Sequence, residues 1–351
     1  MRDRSSPEVE TQVPGRVEVT RGGWVESAHR IHLVVADASG RVRASVGDAD
    51  HPATFRSAAK PLQALPLVED GVLRHFGLDS RALALACASH NSEPRHAQVA
   101  RGMLDRIGLD ETALACGGHT PLRPEEAVRI AGEGRRPGPL ESNCSGKHAG
   151  MLALASYHGW SLEGYHRAGH PVQRRMRTEV ARWTGTSPDA LDTAVDGCGV
   201  VCFRVPLRAM ASAYARFGAA AAAGDAPAGV VSAMTGHPGL VAGRGRLDTA
   251  AMRAGGGRLV VKVGAEGVYA AAVPEKGLGL ALKVEDGAWR AADAALVAAL
   301  DRLGWPGTAA SPGGAPESDP LAPFRTAEVR NTRGEAVGYV AADFELPEMP
   351  C

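Results

Sequence analysis

No run of apolar residues approaches the roughly 18–20 that a membrane-spanning helix needs, so the sequence predicts no membrane partner. Charge of neither sign is in excess, since Lys plus Arg and Asp plus Glu each number 39. That balance gives no electrostatic drive toward nucleic acid or an acidic membrane surface, and it points to a small ligand. The opening residues, MRDRSSPEVETQVPG, lack the apolar core of a secretory signal. They read as a flexible tail over residues 1–14, which predicts a cytoplasmic protein. Cysteine is sparse, at six. Without an oxidising compartment, Cys87, Cys116, Cys144, Cys198, Cys202 and Cys351 are expected as buried thiols, metal ligands or reactive groups rather than disulfides. No internal repeat is present.

What is there suffices for a sizeable core: 351 residues, 44% of them hydrophobic, in one large or two intimately packed units. Residues 30–36 (RIHLVVA) and 41–46 read as a hairpin around an Asp-Ala-Ser-Gly turn. From about 61 to 254, apolar positions at three- and four-residue steps predict helices over 93–107, 124–131, 148–160, 171–184 and 206–223. The last is alanine-rich, a mark of helix propensity. Strands resume at 259–263, 267–273 and 278–284, followed by a helix over 289–303, a Pro/Gly-rich connector over 306–320 and a strand near 336–342. The expected fold is α/β in the α+β sense, a single domain over residues 15–345. A mainly antiparallel sheet is built from both chain ends, about 15–56 and 258–345, around a large helical insertion over 57–257. The ligand cleft is expected between the two parts.

The chemistry-bearing residues start with Ser57-Ala-Ala-Lys60. Pro61 belongs in a first helical turn, so a helix is predicted to begin close to Ser57. Positions three apart share a helix face, which brings the Lys60 amine to the Ser57 hydroxyl. Such a lysine becomes a base if burial or a second cation lowers its pKa. Ser89-His90-Asn91 lies in a loop, and Lys262-Val263-Gly264 on a returning strand. A serine–lysine helix, a loop serine and a strand Lys-x-Gly, in this order, are similar to the three motifs of serine β-lactamases and penicillin-binding proteins. Taken alone, Ser89 is equally a helix cap and Lys262 an exposed edge-strand lysine. Cys144-Ser-Gly-Lys147-His148 and Asp196-Gly-Cys198 gather two thiols with lysine, histidine and aspartate. Their spacing matches no common zinc signature, so Cys144 and Cys198 stand as buried cysteines, ligands of a soft ion or redox-sensitive thiols. His119 and Cys116, in CGGHTP, are expected to be structural.

Seven ordered segments, RGGWVESAHR, FRSAAKPLQALPL, ASHNSEPRH, CGGHTP, NCSGKHAGML, DGCGV and KVGAEGV, run from about residue 21 to 268. Together they resemble the asparaginase II family, the Rhizobium-etli-type L-asparaginases. The resemblance implies a serine β-lactamase/glutaminase-like fold and two Ser–Lys pairs, Ser57 with Lys60 and Ser89 with Lys262. It also implies zinc held by Cys144, Lys147 and Cys198 as an aid to substrate binding, with Asp196 and His148 near the substrate, and a homodimer. The expected reaction is hydrolysis of L-asparagine to L-aspartate and ammonia through an acyl-enzyme. Asp196 would receive the substrate amine and Arg56 its carboxylate, and backbone N–H groups near Ser57 or Gly264 would hold the oxyanion. Alternative readings are a glutaminase, a β-lactam-recognising serine hydrolase, and a non-enzymatic zinc- or redox-sensing binding protein.

Overall fold

The structure is a computed structural model and describes residues 13–306 and 319–347. Residues 1–12 of the expected tail, most of the Pro/Gly-rich connector and Cys351 lie outside the described residues. The strands are β1 (Gly15–Arg21), β2 (Trp24–Asp37), β3 (Val42–Val46), β4 (Pro52–Thr54), β5 (Asp192–Val195), β6 (Val201–Pro206), β7 (Val260–Gly264), β8 (Val268–Val273), β9 (Leu278–Val284), β10 (Thr326–Arg330) and β11 (Ala336–Asp343). Eight of them form one antiparallel sheet in the order β10-β11-β1-β2-β9-β8-β7, with β3 paired to β2. Strands from both ends of the chain thus interleave in a mixed α/β fold. The long β2 joins them, pairing with β1 over its first half and with β3 and β9 over its second.

Local chemistry explains the joints. The Asp37 carboxylate accepts the Ser39 and Arg41 N–H groups, closing the turn between β2 and β3. The helix Ser80–Ala86 starts on Asp79, whose side chain accepts from Arg81 and Ala82 N–H. The apolar runs of β7 and β8 are buried along their whole lengths. The helix Leu207–Ala222 lies on β2, β8 and β9, and the helix Trp289–Arg302 packs on β11 and β9. Ala211, Ala213 and Ala215 of the first of these helices are buried, small side chains that allow close approach.

Four departures from the sequence expectation matter. β1 alternates buried Val17 and Val19 with more exposed charged positions, a period-two pattern that places a strand immediately after the tail. β10 adds a further strand near the other chain end. The segment expected to be helical holds β5 and β6, which pair with β4, just ahead of it, in a second, three-stranded sheet, β4-β6-β5. Every residue of β5 is exposed, so it lacks the apolar signal of a strand and exists through its pairing with β6. Finally, the helix expected over 148–160 spans Ser145–Tyr157. Its start moves into the Cys-Ser-Gly-Lys-His motif and puts Lys147 and His148 in its first turns.

Candidate active site

Ser57 stands in a 3-10 turn, Arg56–Ala59, that runs directly into a short helix, Lys60–Gln63, with Pro61 in its first turn. Arg56 precedes it in the left-handed region, at φ 47°. A non-glycine residue there stores backbone strain, and such strain gathers at functional sites. Two contacts hold the turn in place: Phe55 N–H donates to the Phe203 carbonyl at 2.8 Å, and the Tyr214 hydroxyl donates to the Ala58 carbonyl at 2.8 Å. A Cβ on Gly264 would lie 2.7 Å from the Phe55 carbonyl oxygen, so β7 reaches the turn only because that residue is glycine.

The contact between serine and lysine crosses the expected pairs. Lys60 is almost wholly buried, and its Nζ donates to the Ser89 hydroxyl at 3.0 Å, to the Ala88 carbonyl, and to Cys144 Sγ at 3.2 Å. Among the described residues, no hydrogen bond joins Ser57 to Lys60 or Ser89 to Lys262. Ser57 is half-buried, whereas Ser89 is buried.

Backbone bonds pin the Ser89 loop: Ser89 N–H to Val241 and Asn91 N–H to Ala242, both at 2.9 Å, and His90 N–H to Asn143 at 3.3 Å. His90 Nδ1 accepts the Ser92 N–H, so its proton sits on Nε2, which donates to Ser145 Oγ at 2.9 Å. Burial, with neighbouring cations, pushes the His90 pKa far down and keeps the ring neutral. His96, stacked on it, accepts the Glu93 N–H and donates to the Gly239 carbonyl. Burial pushes its pKa down to about 4.

A second cluster joins the two cysteine motifs. Cys144 and Cys198 interact, which draws the Cys144 thiol down and the Cys198 thiol up. Lys147 Nζ donates to Cys198 Sγ at 2.9 Å. Burial opposes the charge on Lys147, but Cys144, Cys198 and Asp196 outweigh it and hold its pKa up. Asp196 accepts from Arg56 Nε at 2.6 Å. Burial works against this carboxylate too, yet Lys147 and Arg56 keep it ionised. The helix start approaches Ser80–Ala86 closely, since a Cβ on Gly146 would meet the Leu85 carbonyl oxygen at 2.3 Å. His148 Nδ1 lies 2.6 Å from the Tyr165 hydroxyl, whose oxygen already accepts the Ala115 N–H. Burial, with neighbouring cations, keeps the ring neutral, and its Nε2 is buried and has no hydrogen-bond partner. His148 Nε2 is thus a neutral ring nitrogen available to a ligand. His119 accepts the Asn143 N–H at 2.9 Å, the structural role expected of it.

Lys262 is not an exposed edge-strand lysine. It is wholly buried, donates to the Val263 carbonyl at 2.9 Å, and lies 3.9 Å from Asp248 Oδ1. Burial brings its pKa down to about 7, reinforced by Lys60 and Arg246 and opposed by Asp248.

The family model for L-asparaginase II matches residues 17–342. The chain belongs to the L-asparaginase II family. The match spans nearly the whole chain, including every site residue named above. No curated protein matches it. Among solved structures, the chain is similar to one described as "Crystal structure of Mglu in its native form in the presence of 4.3M NaCl", at 17% identity and a TM-score of 0.29. That match covers 73% of this chain and spans 56% of the other.

For zinc, the residues of this L-asparaginase II chain fit in donor chemistry: two sulfurs and one amine converge. Among the described residues, no three His, Cys, Asp or Glu side chains gather as a metal site. The third donor would have to be Lys147, which ligates only after losing its proton. Sequence reasoning missed two participants, Asp248 and Arg246, which surround Lys262 from the start of the helix Leu247–Ala254. Nothing local in RLDTAAM marks them.

Proposed function

We propose that this protein hydrolyses the side-chain amide of L-asparagine, giving L-aspartate and ammonia, through a serine acyl-enzyme. The observation that carries the reading is the buried Lys60–Ser89 hydrogen bond beside Ser57, within the same site as the Arg56–Asp196 ion pair. Ser57 is the attacking hydroxyl in this reading, being half-buried and without a hydrogen-bond partner among the described residues. Its oxygen forms the new bond to the amide carbon. Its proton passes to a neutral amine, and Lys262 near pKa 7 is the lysine suited to receive it. The amide nitrogen leaves protonated as ammonia. Water then attacks the ester and releases aspartate, restoring the serine. Lys60 offers its N–H groups to Ser89, the Ala88 carbonyl and Cys144, so it orients Ser89 and adds positive charge where the oxyanion develops.

Asp196 receives the substrate ammonium and Arg56 the α-carboxylate, each exchanging part of an existing ion pair for the ligand. His148 Nε2 is a further polar atom available to the substrate. Cys144, Cys198 and Lys147 would hold zinc, which when bound supplies a fixed positive charge that favours an anionic substrate group. A homodimer is part of the same proposal, and sizing of the purified protein by light scattering tests it. For the membrane, the structure shows that no helix among the described residues is long and apolar enough to cross one.

The test is ammonia release from asparagine, glutamine and β-aspartyl peptides, with Ser57→Ala and Ser89→Ala assayed separately. The expected loss for Ser57→Ala is about 10³-fold or more in kcat. Near-full activity in both variants would sink the scheme, and turnover of glutamine alone would reassign the substrate.

A further inference from the structure

Lys262 lies in a buried network that extends well beyond the serines. Asp248 is wholly buried and accepts the Val263 N–H through Oδ1 at 2.8 Å, the same oxygen that faces Lys262 Nζ at 3.9 Å. Its other oxygen, Oδ2, is buried without a hydrogen-bond partner and lies 3.8 Å from Arg246 Nη2, itself buried and without a hydrogen bond. Arg246 uses Nη1 to donate to the Ser89 carbonyl at 3.3 Å and to Asn91 Oδ1 at 3.1 Å. Its guanidinium sits over the Trp289 ring at 4.8 Å. One residue thus ties the loop that carries Ser89 to the carboxylate that faces Lys262.

We propose that Asp248, backed by Arg246, is the positioning residue of Lys262: it fixes β7 at Val263, holds the amine in place, and sets how readily Lys262 gives up its proton. The proposal deepens the hydrolase reading and rests on it for its catalytic meaning. A buried carboxylate with one oxygen unsatisfied is costly to keep. A purely structural anchor for one N–H would be served as well by an uncharged side chain. The charge matters because Lys262 is faced by Lys60 and Arg246, both of which disfavour its ammonium form, and by Asp248 and Cys144, which favour it. Cys87 responds to the charge of both lysines, but burial holds its thiol protonated, with a pKa pushed up to about 12. Farther out, Tyr269 donates to Asp293 at 2.7 Å. Burial raises Asp293 to about 6, with Asp248 adding to the shift. Asp248 is thus the carboxylate nearest Lys262, and Arg246 the cation that offsets it.

The experiment follows Lys262 itself in the full-length protein, by carbon-13 NMR of labelled lysine across pH, with assignment through Lys262→Met. Asp248→Asn keeps the acceptor for Val263 and removes the charge. It is expected to move the Lys262 titration to lower pH by about one unit or more and to move the acidic limb of kcat/KM with it. Arg246→Gln removes the opposing cation and is expected to move both the other way. An unchanged titration in Asp248→Asn, with only a lower Tm, would overturn the proposal and leave Asp248 a structural anchor. Should Asp248→Asn not fold, Arg246→Gln decides alone: an upward shift supports the proposal and no shift overturns it. Because the NMR readout needs no substrate, the two shifts in a protein that released no ammonia would support the positioning role and sink only the hydrolase reading.

Discussion

Lys147 and Lys262 are both buried, at 4% and 0% exposure, and burial disfavours the charge of each, yet they end in opposite states. At Lys147 two cysteines and Asp196 gather around the amine and hold its pKa up despite burial. At Lys262 one carboxylate is outweighed by burial together with two cations, and the pKa falls to about 7. Depth sets the size of the penalty, and the sign of the neighbouring charges decides whether a lysine becomes a fixed ammonium or a base. The helical block holds the first kind, suited to binding. The sheet holds the second, suited to moving a proton.

The strongest way to break this contrast is to replace each lysine by methionine, which keeps most of the apolar stem. Lys262→Met is expected to lower kcat by roughly 10²–10⁴-fold, the usual weight of a general base, while leaving the fold at least as stable in urea. Lys147→Met strips the cation from a buried cluster of anions and is expected to destabilise the protein by about 3–5 kcal/mol, read from the urea midpoint. Were Lys262→Met the less stable of the two, the assignment of the neutral amine would be wrong.

A gentler probe is the pH dependence of stability. Between about 7 and the ordinary lysine value of 10.5, the unfolded Lys262 binds a proton that the folded one does not. Stability from this group therefore rises with pH through that window. Lys147 works in the opposite sense: its raised folded pKa contributes stability at lower pH, lost only as pH climbs through that value. Asp293, raised to about 6, holds a proton that the unfolded chain has released, so its contribution falls as pH rises from about 3.8 to 6. Denaturation midpoints between pH 7 and 10 should be flatter, or slope downward, in Lys262→Met relative to the natural protein. An identical slope in both would remove Lys262 as its source.

Much of this was legible in the sequence. The strands β7 to β9, the helix Pro171–Thr184 and the ordered motifs all stand where their patterns place them. The two cysteine motifs do lie together, whereas the ion pair between Arg56 and Asp196 was not foretold. What was not legible is pairing at long range. Spacing along a helix suggested Ser57 for Lys60, but the amine turns to Ser89, 29 positions away, a choice made by tertiary packing. A compositional signal went unused: the chain has only five lysines, and Lys60, Lys147 and Lys262 are three of them. In a protein that uses arginine for its surface, each lysine is a candidate for chemistry that needs a removable proton. Asp248 carries no such mark, because acidic residues near helix starts are common.

The smallest expected effect on stability belongs to Arg56, which touches the binding side of the contrast without touching either lysine. Its backbone sits at φ 47°, which glycine adopts freely. Arg56→Gly should relieve strain worth roughly 1 kcal/mol. It also removes the ion pair to Asp196, and a half-buried pair of this kind contributes a similar amount. The two changes oppose each other, so Tm should move by only a few degrees. Substrate binding has no such compensation. With the guanidinium gone, KM for asparagine should rise about tenfold or more while kcat changes little, the signature of a lost ground-state contact. Arg56→Lys separates the causes, since it keeps the strain and a positive charge but not the planar fork. If Arg56→Gly lowered kcat and left KM alone, Arg56 would belong with Lys262 on the catalytic side, and the division between a binding half and a proton-moving half would have to be redrawn.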